Sequence, residues 1–216
     1  MSKNDSATHK AGTSAISSVK QISPHQQTEF SYQKAVALLQ QGRVTEAQES
    51  LGESIKVAPD HAASRQALVG ILVEQKLYAQ AEQLLRDGLS RGGNQPEFAM
   101  ALARIQVERN DGRGALETLQ QNLNASKDHA GYQAFLAALY QRQGQHKLAI
   151  EHYLVALKLS PATASSLVGL GISLQAENHP TEALEAFNRA KTSGGLSAEL
   201  QNFVEQRLKQ LQVQSK

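Results

Sequence analysis

The sequence predicts an all-α protein: a right-handed superhelical solenoid of five helix–turn–helix hairpins followed by a C-terminal capping helix. A fixed period of 34 residues is the first observation, and it appears in one alanine series: Ala47, Ala81, Ala115, Ala149 and Ala183. Four residues after each alanine comes a large apolar residue: Leu51, Leu85, Leu119, Tyr153 and Phe187. Spacing of i, i+4 marks one face of a helix, and a constant period of this length is the signature of a repeat architecture.

A second helix precedes each alanine series helix. Its apolar face runs through one leucine per unit: Leu68, Leu102, Leu136 and Leu170. A turn-forming or polar residue in one register separates the two helices: Gly42, Lys76, Asn110, Gly144 and Asn178. Helix-stopping residues end four of the units: Pro59, Gly93, Pro161 and Gly195. The predicted units are 28–61, 62–95, 96–129, 130–163 and 164–197.

Small residues at the helix crossings explain this pattern, because two helices approach closely only where a small side chain lies between them. The segments outside the units have different characters. Residues 1–27 are rich in Ser, Thr, Lys and Gln and are expected to form a disordered tail or linker. Residues 197–213 carry one apolar stripe and are expected to cap the last hairpin, which would otherwise expose an apolar face.

Composition excludes several kinds of site. The chain has no cysteine, which rules out disulfides, iron–sulfur clusters and cysteine-based zinc sites. Residues 28–216 carry 19 basic and 19 acidic side chains, and this neutral balance argues against a nucleic-acid-binding surface. No apolar run approaches 18 residues and residues 1–5 lack the apolar region of a signal peptide, so neither a membrane span nor a leader is expected within this chain.

No catalytic or metal-binding motif is found. The seven histidines include no i, i+4 pair, and His146 and His152, six residues apart, do not have the spacing of a helical zinc site. His61 and His129 fall at unit ends, where solvated loop residues are expected. Gly169-Leu-Gly171 lacks the third glycine and the preceding strand of a nucleotide loop, so a packing role is predicted. No catalytic residue, cofactor or metal is assigned, and the protein is not expected to be an enzyme.

The spacing resembles that of the tetratricopeptide repeat (TPR) family. Unit four matches best, through Leu136, Ala137, Tyr140, Gly144, Ala149, Tyr153, Ala156, Leu157 and Pro161. Two positions depart from the pattern: Lys34 and Gln106 stand where the other units carry Leu or Tyr. The resemblance implies that the first helices line a concave groove that binds a helix or an extended segment of a protein partner.

The resemblance also implies which residues line that groove. The ligand-holding positions of the family correspond here to Tyr32, Val36, Leu39, Gln66, Val73, Met100, Arg104, Val107, Ala138, Gln141, Arg142, Val168, Ile172 and Gln175. One subset of the family uses Lys and Asn at the fifth and ninth positions of each unit to hold a peptide carboxylate. Those positions are mostly small or apolar here, so no such clamp is expected, and Arg104 and Arg142 are expected to be isolated cations.

A narrower resemblance concerns three segments: the run from Phe135, the run from Gly169 and the closing run from Leu196. They are similar to the C-terminal region of the MshN-type family, which serves biogenesis of the mannose-sensitive haemagglutinin (MSHA) pilus, a type IV pilus of Gram-negative bacteria. That family places its repeat domain in the periplasm behind an inner-membrane anchor, so the resemblance implies inner-membrane pilus assembly components as partners. The alternatives are a soluble cytoplasmic TPR adaptor or co-chaperone, and, more remotely, an enzyme or an RNA-binding protein.

Overall fold

The structure, a computed structural model, describes residues 22–91 and 96–214, and all regular elements in these ranges are helices. Five hairpins are each formed by two neighbouring helices that pack against one another: α1/α2, α3/α4, α5/α6, α8/α9 and α10/α11. The helices are α1 (Pro24–Gln40), α2 (Val44–Val57), α3 (Ala62–Glu74), α4 (Tyr78–Ser90), α5 (Pro96–Glu108), α6 (Gly112–Gln121), α7 (Leu123–Ser126), α8 (Ala130–Arg142), α9 (His146–Leu159), α10 (Ala164–Ala176), α11 (Pro180–Ser193) and α12 (Ala198–Gln214). Helix α12 packs on α11. The predicted all-α solenoid is confirmed.

The alanine series lies at the helix crossings. Ala47, Ala81, Ala115, Ala149 and Ala183 all have 0% relative exposure. The large residues that follow them are also buried, from Leu51 at 0% to Tyr153 at 4%. The small side chain therefore allows the backbones to approach, and the next turn fills the space around the contact.

One hydrogen bond recurs at the turn inside every hairpin. A backbone N–H just after the turn donates to the carbonyl five residues earlier, as in Arg43 to Leu38 at 2.9 Å and His179 to Leu174 at 2.9 Å. The residue directly before the donor has a positive φ, which glycine adopts without strain at Gly42 and Gly144. Lys76, Asn110 and Asn178 hold the same conformation, with φ of 59°, 61° and 61°.

The N-terminal boundary differs from the prediction. The expected tail extended to residue 27, but α1 begins at Pro24. Ser23 and Gln26 form a reciprocal capping box: the Gln26 N–H donates to Ser23 Oγ at 3.2 Å, and the Ser23 N–H donates to Gln26 Oε1 at 3.0 Å. A proline at the first helical position adds to this start signal. The rest of the expected tail, residues 1–21, and the helix-stopping Gly93 lie outside the described residues.

The second helix of the third hairpin is interrupted, although Leu123 continues the apolar face of Ala115 and Leu119 at a spacing of four residues. Helix α6 ends at Gln121, and α7 is a single turn that begins at Leu123. The side chain of Asn122 donates from Nδ2 to the Thr118 carbonyl at 2.9 Å. An Asn that bonds its own backbone competes with the helical ladder, which accounts for the break.

Gln106, one of the two departures from the repeat pattern, has a partner. It is buried at 6% exposure, and its Oε1 accepts a hydrogen bond from Thr118 Oγ1 at 2.8 Å. Lys34, the other departure, is exposed on α1, the helix of the first hairpin. A polar outer face on a terminal repeat is expected, because no preceding hairpin covers it in the described residues.

Candidate partner-binding groove

The first helix of each hairpin packs against its own second helix and leaves another face toward solvent. On that face the side chains are mostly small and uncharged, including exposed Gly70, Ala138 and Ala176 and half-buried Ala67 and Ala134. Helix α8 contains one charged residue, Arg142, and α10 contains none. A solvent-facing helix surface is normally rich in charge, so this composition is unusual for a face with nothing to bind.

Most of the residues predicted to line the groove are accessible. Four are exposed: Gln66, Arg104, Ala138 and Arg142. Eight are half-buried: Tyr32, Val36, Leu39, Val73, Val107, Gln141, Ile172 and Gln175.

Two of the predicted groove residues are inaccessible. Met100 is 7% exposed and Val168 is 4% exposed, and both belong to the main apolar core cluster. Both occupy the fifth position of their units, where Gln66 is exposed in unit two. Large apolar side chains at this position turn into the interface between hairpins, so the assignment of Met100 and Val168 to the groove surface was wrong.

Arg104 is not the isolated cation that the sequence suggested. Its guanidinium carbon lies 5.6 Å from the ring centroid of Phe135, on the next first helix. This is cation–π distance. Phe135, which the position list omitted, stands in the register where the neighbouring units carry Ala67, Ala101 and Gly169. A large aromatic residue in a series of small ones was the sequence signal that could have identified Phe135 as a groove residue.

Gln141 connects two first helices. Its Nε2 donates to the Gly169 carbonyl at 2.7 Å and to Ser173 Oγ at 2.6 Å, both on α10. Its Oε1 accepts from the Tyr153 hydroxyl at 3.3 Å. Gln141 therefore sets the spacing of α8 and α10 along the groove, and its amide nitrogen is already engaged there.

Two histidines mark one edge of the groove. His61 and His129 were expected to be solvated loop residues, but each caps a first helix: Nδ1 accepts from the N–H of Ser64 at 3.3 Å and of Tyr132 at 3.0 Å, respectively. Each also faces a glutamate near the start of the preceding first helix, about one repeat earlier in the sequence. His61 Nε2 lies 3.9 Å from Glu29, and His129 Nε2 lies 3.7 Å from Glu97.

A serine–histidine–glutamate arrangement near His61 does not make a nucleophile. Ser64 Oγ lies 2.7 Å from His61 Nδ1 and 2.6 Å from Ser54 Oγ. Both serines have 0% exposure. A cavity of about 300 Å³ opens beside His61, but Ser64 is not among the residues that line it. The hydroxyl is thus a buried structural group that no substrate can reach.

The other histidine of interest, His152, is part of the packing. Its ring stacks on Tyr140 with centroids 5.4 Å apart, and its Nδ1 lies 2.7 Å from Gln133 Oε1. Burial lowers the pKa of His152, and the charge of Glu151 opposes this in part. Within residues 22–91 and 96–214, no three His, Cys, Asp or Glu side chains are grouped to hold a metal ion.

The packing role predicted for Gly169 and Gly171 is confirmed. A Cβ on Gly171 would lie 2.8 Å from Cε1 of Phe187, and a Cβ on Gly169 would lie 2.8 Å from Cε1 of Tyr153. Real Cβ atoms do not approach other atoms so closely. These glycines therefore make room for two aromatic rings. Among the helices that the structure describes, none is long and apolar enough to cross a membrane.

Family models and solved structures agree on the architecture. Models described as tetratricopeptide repeat match residues 38–105, 72–139 and 130–163. The fold is similar to a crystal structure of MamA (TM-score 0.65, 17% identity, 78% of this chain and 92% of that chain). It is also similar to YrrB, described as a TPR protein with an unusual peptide-binding site (TM-score 0.64, 14% identity, 82% and 90%). MamA from Desulfovibrio magneticus RS-1 matches comparably (TM-score 0.63, 17% identity, 77% and 94%). No curated protein matches the sequence.

Proposed function

Because the chain belongs to the tetratricopeptide repeat family, we propose that it is a non-catalytic interaction scaffold whose first-helix groove binds a helix or an extended segment of a protein partner. One observation carries the proposal. Helices α8 and α10 keep a solvent-facing side while holding one charged residue between them. Apolar faces of this kind mark interaction sites on soluble proteins.

The lining favours an internal segment of the partner over its C-terminus. The fifth and ninth positions of the units hold no lysine or asparagine that could grip a terminal carboxylate. Small side chains such as Ala134 and Ala138 allow a partner backbone to approach, and Arg104 over Phe135 offers a flat cationic surface. A peptide-binding site in YrrB, which has a similar fold, is consistent with this use of the groove.

The setting we propose is assembly of a type IV pilus of the MSHA kind, in the periplasm, with inner-membrane assembly components as partners. Its support is the similarity of the runs that begin at Phe135, Gly169 and Leu196 to the MshN-type family. This proposal is separable from groove binding, because a scaffold that uses the same groove could serve another machine.

Peptide selection tests the groove. A random 16-residue peptide library displayed on phage is selected on the full chain, and the selected peptides are titrated against the variant Arg104→Glu/Ala138→Glu. Both residues are exposed at the same register of α5 and α8, so the variant should fold. We expect at least tenfold weaker binding.

The matched control is Ala79→Glu/Arg113→Glu, which makes the same chemical changes at exposed positions of the second helices α4 and α6. Equal affinity of the selected peptides for the wild type and the groove variant would refute groove binding. For the pilus setting, the wild type but not the groove variant should retain an inner-membrane assembly component from pilus-bearing cells. Retention of none, with intact peptide binding, would reject only the pilus setting.

A further inference from the structure

A second apolar surface lies on the second helix of the fourth hairpin, α9. Four large apolar side chains of α9 are exposed: Leu148 at 37%, Leu154 at 53%, Val155 at 40% and Leu159 at 41%. In the described residues, no other second helix exposes more than one large apolar side chain to this degree. Exposed apolar patches on soluble proteins mark interaction sites.

The repeat itself supplies an internal comparison. The register of Leu148 holds Glu46, Gln80, Gly114 and Glu182 in the other hairpins, that of Leu154 holds Gly52, Arg86, Gln120 and Asn188, and that of Val155 holds Glu53, Asp87, Gln121 and Arg189. None of these twelve residues is a large apolar one. The fold therefore does not require apolar side chains at these positions, and their presence in α9 calls for a different cause.

The grooves between successive second helices differ in the same way. The groove between α4 and α6 is lined in part by Arg86 and Thr118. Arg86 pairs with Glu82 of the same helix at 2.7 Å, and Thr118 donates to Gln106 of α5 at 2.8 Å. Between α6 and α9, Gln120 Nε2 donates to the hydroxyl of Tyr140 at 2.8 Å, and His152 stacks on that ring.

Between α9 and α11 the corresponding positions are apolar. The groove there is an open cavity of about 250 Å³ whose floor and one wall are formed by Ile150, Leu154, Leu170, Leu174 and Ala186. Leu174 stands where the preceding groove has Tyr140, and Ala186 where it has His152. Loss of that aromatic pair leaves an apolar depression next to the exposed Leu154 of α9.

The rim of this depression is charged on one side. Glu182 and Glu185 of α11 are exposed and border the cavity. Arg189, also on the rim, directs its Nη2 to the Pro161 carbonyl at 3.5 Å, and His179 lies 3.5 Å from Glu182. An occupant of the groove would thus meet leucine and isoleucine on the α9 side and two carboxylates on the α11 side.

We propose that the α9/α11 groove, defined by Ile150, Leu154, Leu170, Leu174, Glu182 and Glu185, docks an amphipathic helix of a protein partner whose flank carries lysine or arginine. Leu154 is the exposed α9 side chain that lines this groove, whereas Leu148, Val155 and Leu159 lie together on the adjacent face of α9. The basic flank complements the two carboxylates, which restricts the partner's orientation more than its affinity. Leu170 and Leu174 belong to the first helix α10, but none of the residues predicted to line the first-helix groove lines this cavity, so the two sites are distinct.

The size of the surface argues against a second copy of this chain as the occupant. Four side chains that are roughly half exposed offer on the order of 300 Å² of apolar surface, whereas a stable dimer buries about 800 Å² on each partner. A single partner helix is enough to cover a surface of this size.

The test uses three fluorescein-labelled 18-residue peptides and the full chain, with binding followed by anisotropy. All have the same composition of apolar residues: one is an amphipathic helix with a lysine flank, one has a glutamate flank, and one is a scrambled lysine peptide. Leu154→Gln/Val155→Gln installs the residues that the third hairpin carries at these positions. The matched control is Gly52→Gln/Glu53→Gln in the first hairpin, where a side chain on Gly52 meets nothing within 4 Å.

We expect the lysine peptide to bind the wild type and the control equally, and the Leu154→Gln/Val155→Gln variant at least tenfold more weakly. Glu182→Lys/Glu185→Lys should reverse the preference between the lysine and glutamate peptides. No binding to the wild type, equal binding to Leu154→Gln/Val155→Gln, or equal binding of the scrambled peptide would overturn the proposal.

Two further measurements address other occupants. If sedimentation shows a dimer that Leu154→Gln/Val155→Gln abolishes, the occupant is a second copy of the chain and not a partner helix. If the wild type floats with anionic phospholipid vesicles and that variant does not, the occupant is a bilayer surface. The variant Arg104→Glu/Ala138→Glu should leave lysine-peptide binding unchanged. A loss there would place that peptide in the first-helix groove and would also overturn the proposal.

Discussion

Replacing Gly169 with alanine should destabilise the protein, although alanine is the better helix former. Gly169 lies inside α10 against the ring of Tyr153, and an added Cβ would sit 2.8 Å from Cε1 and nearer still to Cζ and the hydroxyl oxygen. Tyr153 is only 4% exposed, and its hydroxyl donates to Gln141, so the ring has little room to retreat. Burial raises the pKa of this hydroxyl to about 12.

The magnitude follows from two opposing effects. Overpacking a buried contact costs roughly 1–3 kcal/mol, while exchanging glycine for alanine inside a helix gains about 1 kcal/mol. Because three atoms of the Tyr153 side chain would lie within 3 Å of the added Cβ, we expect an overpacking cost in the upper half of that range, about 2–3 kcal/mol. The net loss in the free energy of unfolding is then about 1–2 kcal/mol, equivalent to a fall in Tm of several degrees, at about 2–4 °C per kcal/mol for a domain of this size. Gly70→Ala is the matched control, because a Cβ on Gly70 meets nothing within 4 Å. It should stabilise by roughly 0.5–1 kcal/mol.

The effect of Gly169→Ala on the free energy of unfolding should change sign when the ring of Tyr153 is removed. Earlier hairpins combine Leu51 with Ala67 and Leu85 with Ala101 at the positions of Tyr153 and Gly169. In a Tyr153→Leu background, Gly169→Ala should therefore become stabilising, which gives a coupling of about 2 kcal/mol in a double-mutant cycle. Denaturant unfolding followed by circular dichroism measures all four proteins. The same effect of Gly169→Ala in both backgrounds would show that the ring contact does not determine the cost.

Three further predictions concern other residues. Lys76 has a φ of 59°, so Lys76→Gly should raise the free energy of unfolding by up to about 1 kcal/mol, whereas Gly144→Ala, at a φ of 72°, should lower it by about as much; denaturant unfolding measures both. The pKa of His152 is lowered by burial, so the unfolded state binds more protons once the pH falls below about 6.5; wild-type stability should decline from there toward the folded pKa, and His152→Gln should flatten this dependence in thermal melts from pH 7.5 to 5. Gln106→Leu should cost about 1–2 kcal/mol, because Thr118 loses its acceptor, while Gln106→Leu/Thr118→Val should recover most of that loss in equilibrium unfolding.

The repeat made the fold predictable, but it made the candidate site only partly predictable. Position in the 34-residue register placed Arg104 and Ala138 on an accessible face, where the structure has them. The same register assigned Met100 and Val168 to that face, yet both are buried. Register specifies the direction in which a side chain leaves the helix, whereas burial depends on how far the next hairpin has rotated over it.

Local chemistry explains the differences in helix boundaries. The capping box at Ser23 is visible in the sequence as Ser followed three residues later by Gln. The tail was predicted from its composition, which does not take the order of the residues into account. The break at Asn122 depends on a choice between two bonding patterns, side chain to backbone or backbone to backbone. The periodic apolar pattern is the same for a continuous helix and for an interrupted one, so it does not predict which of the two forms.

By itself the sequence determines the number of hairpins, the crossing alanines and the positions of the turns. These depend on interactions between residues that are close along the chain or one repeat apart. In a periodic sequence the same residues recur at the same positions of each repeat, so these features can be recognised several times. Only the tertiary structure shows that Arg104 lies over Phe135, that Gln141 joins α8 to α10, and that an apolar groove opens between α9 and α11. Each of these features depends on the packing of one hairpin against the next, where the particular volumes and hydrogen-bonding groups of the side chains, and not their period, decide which atoms meet.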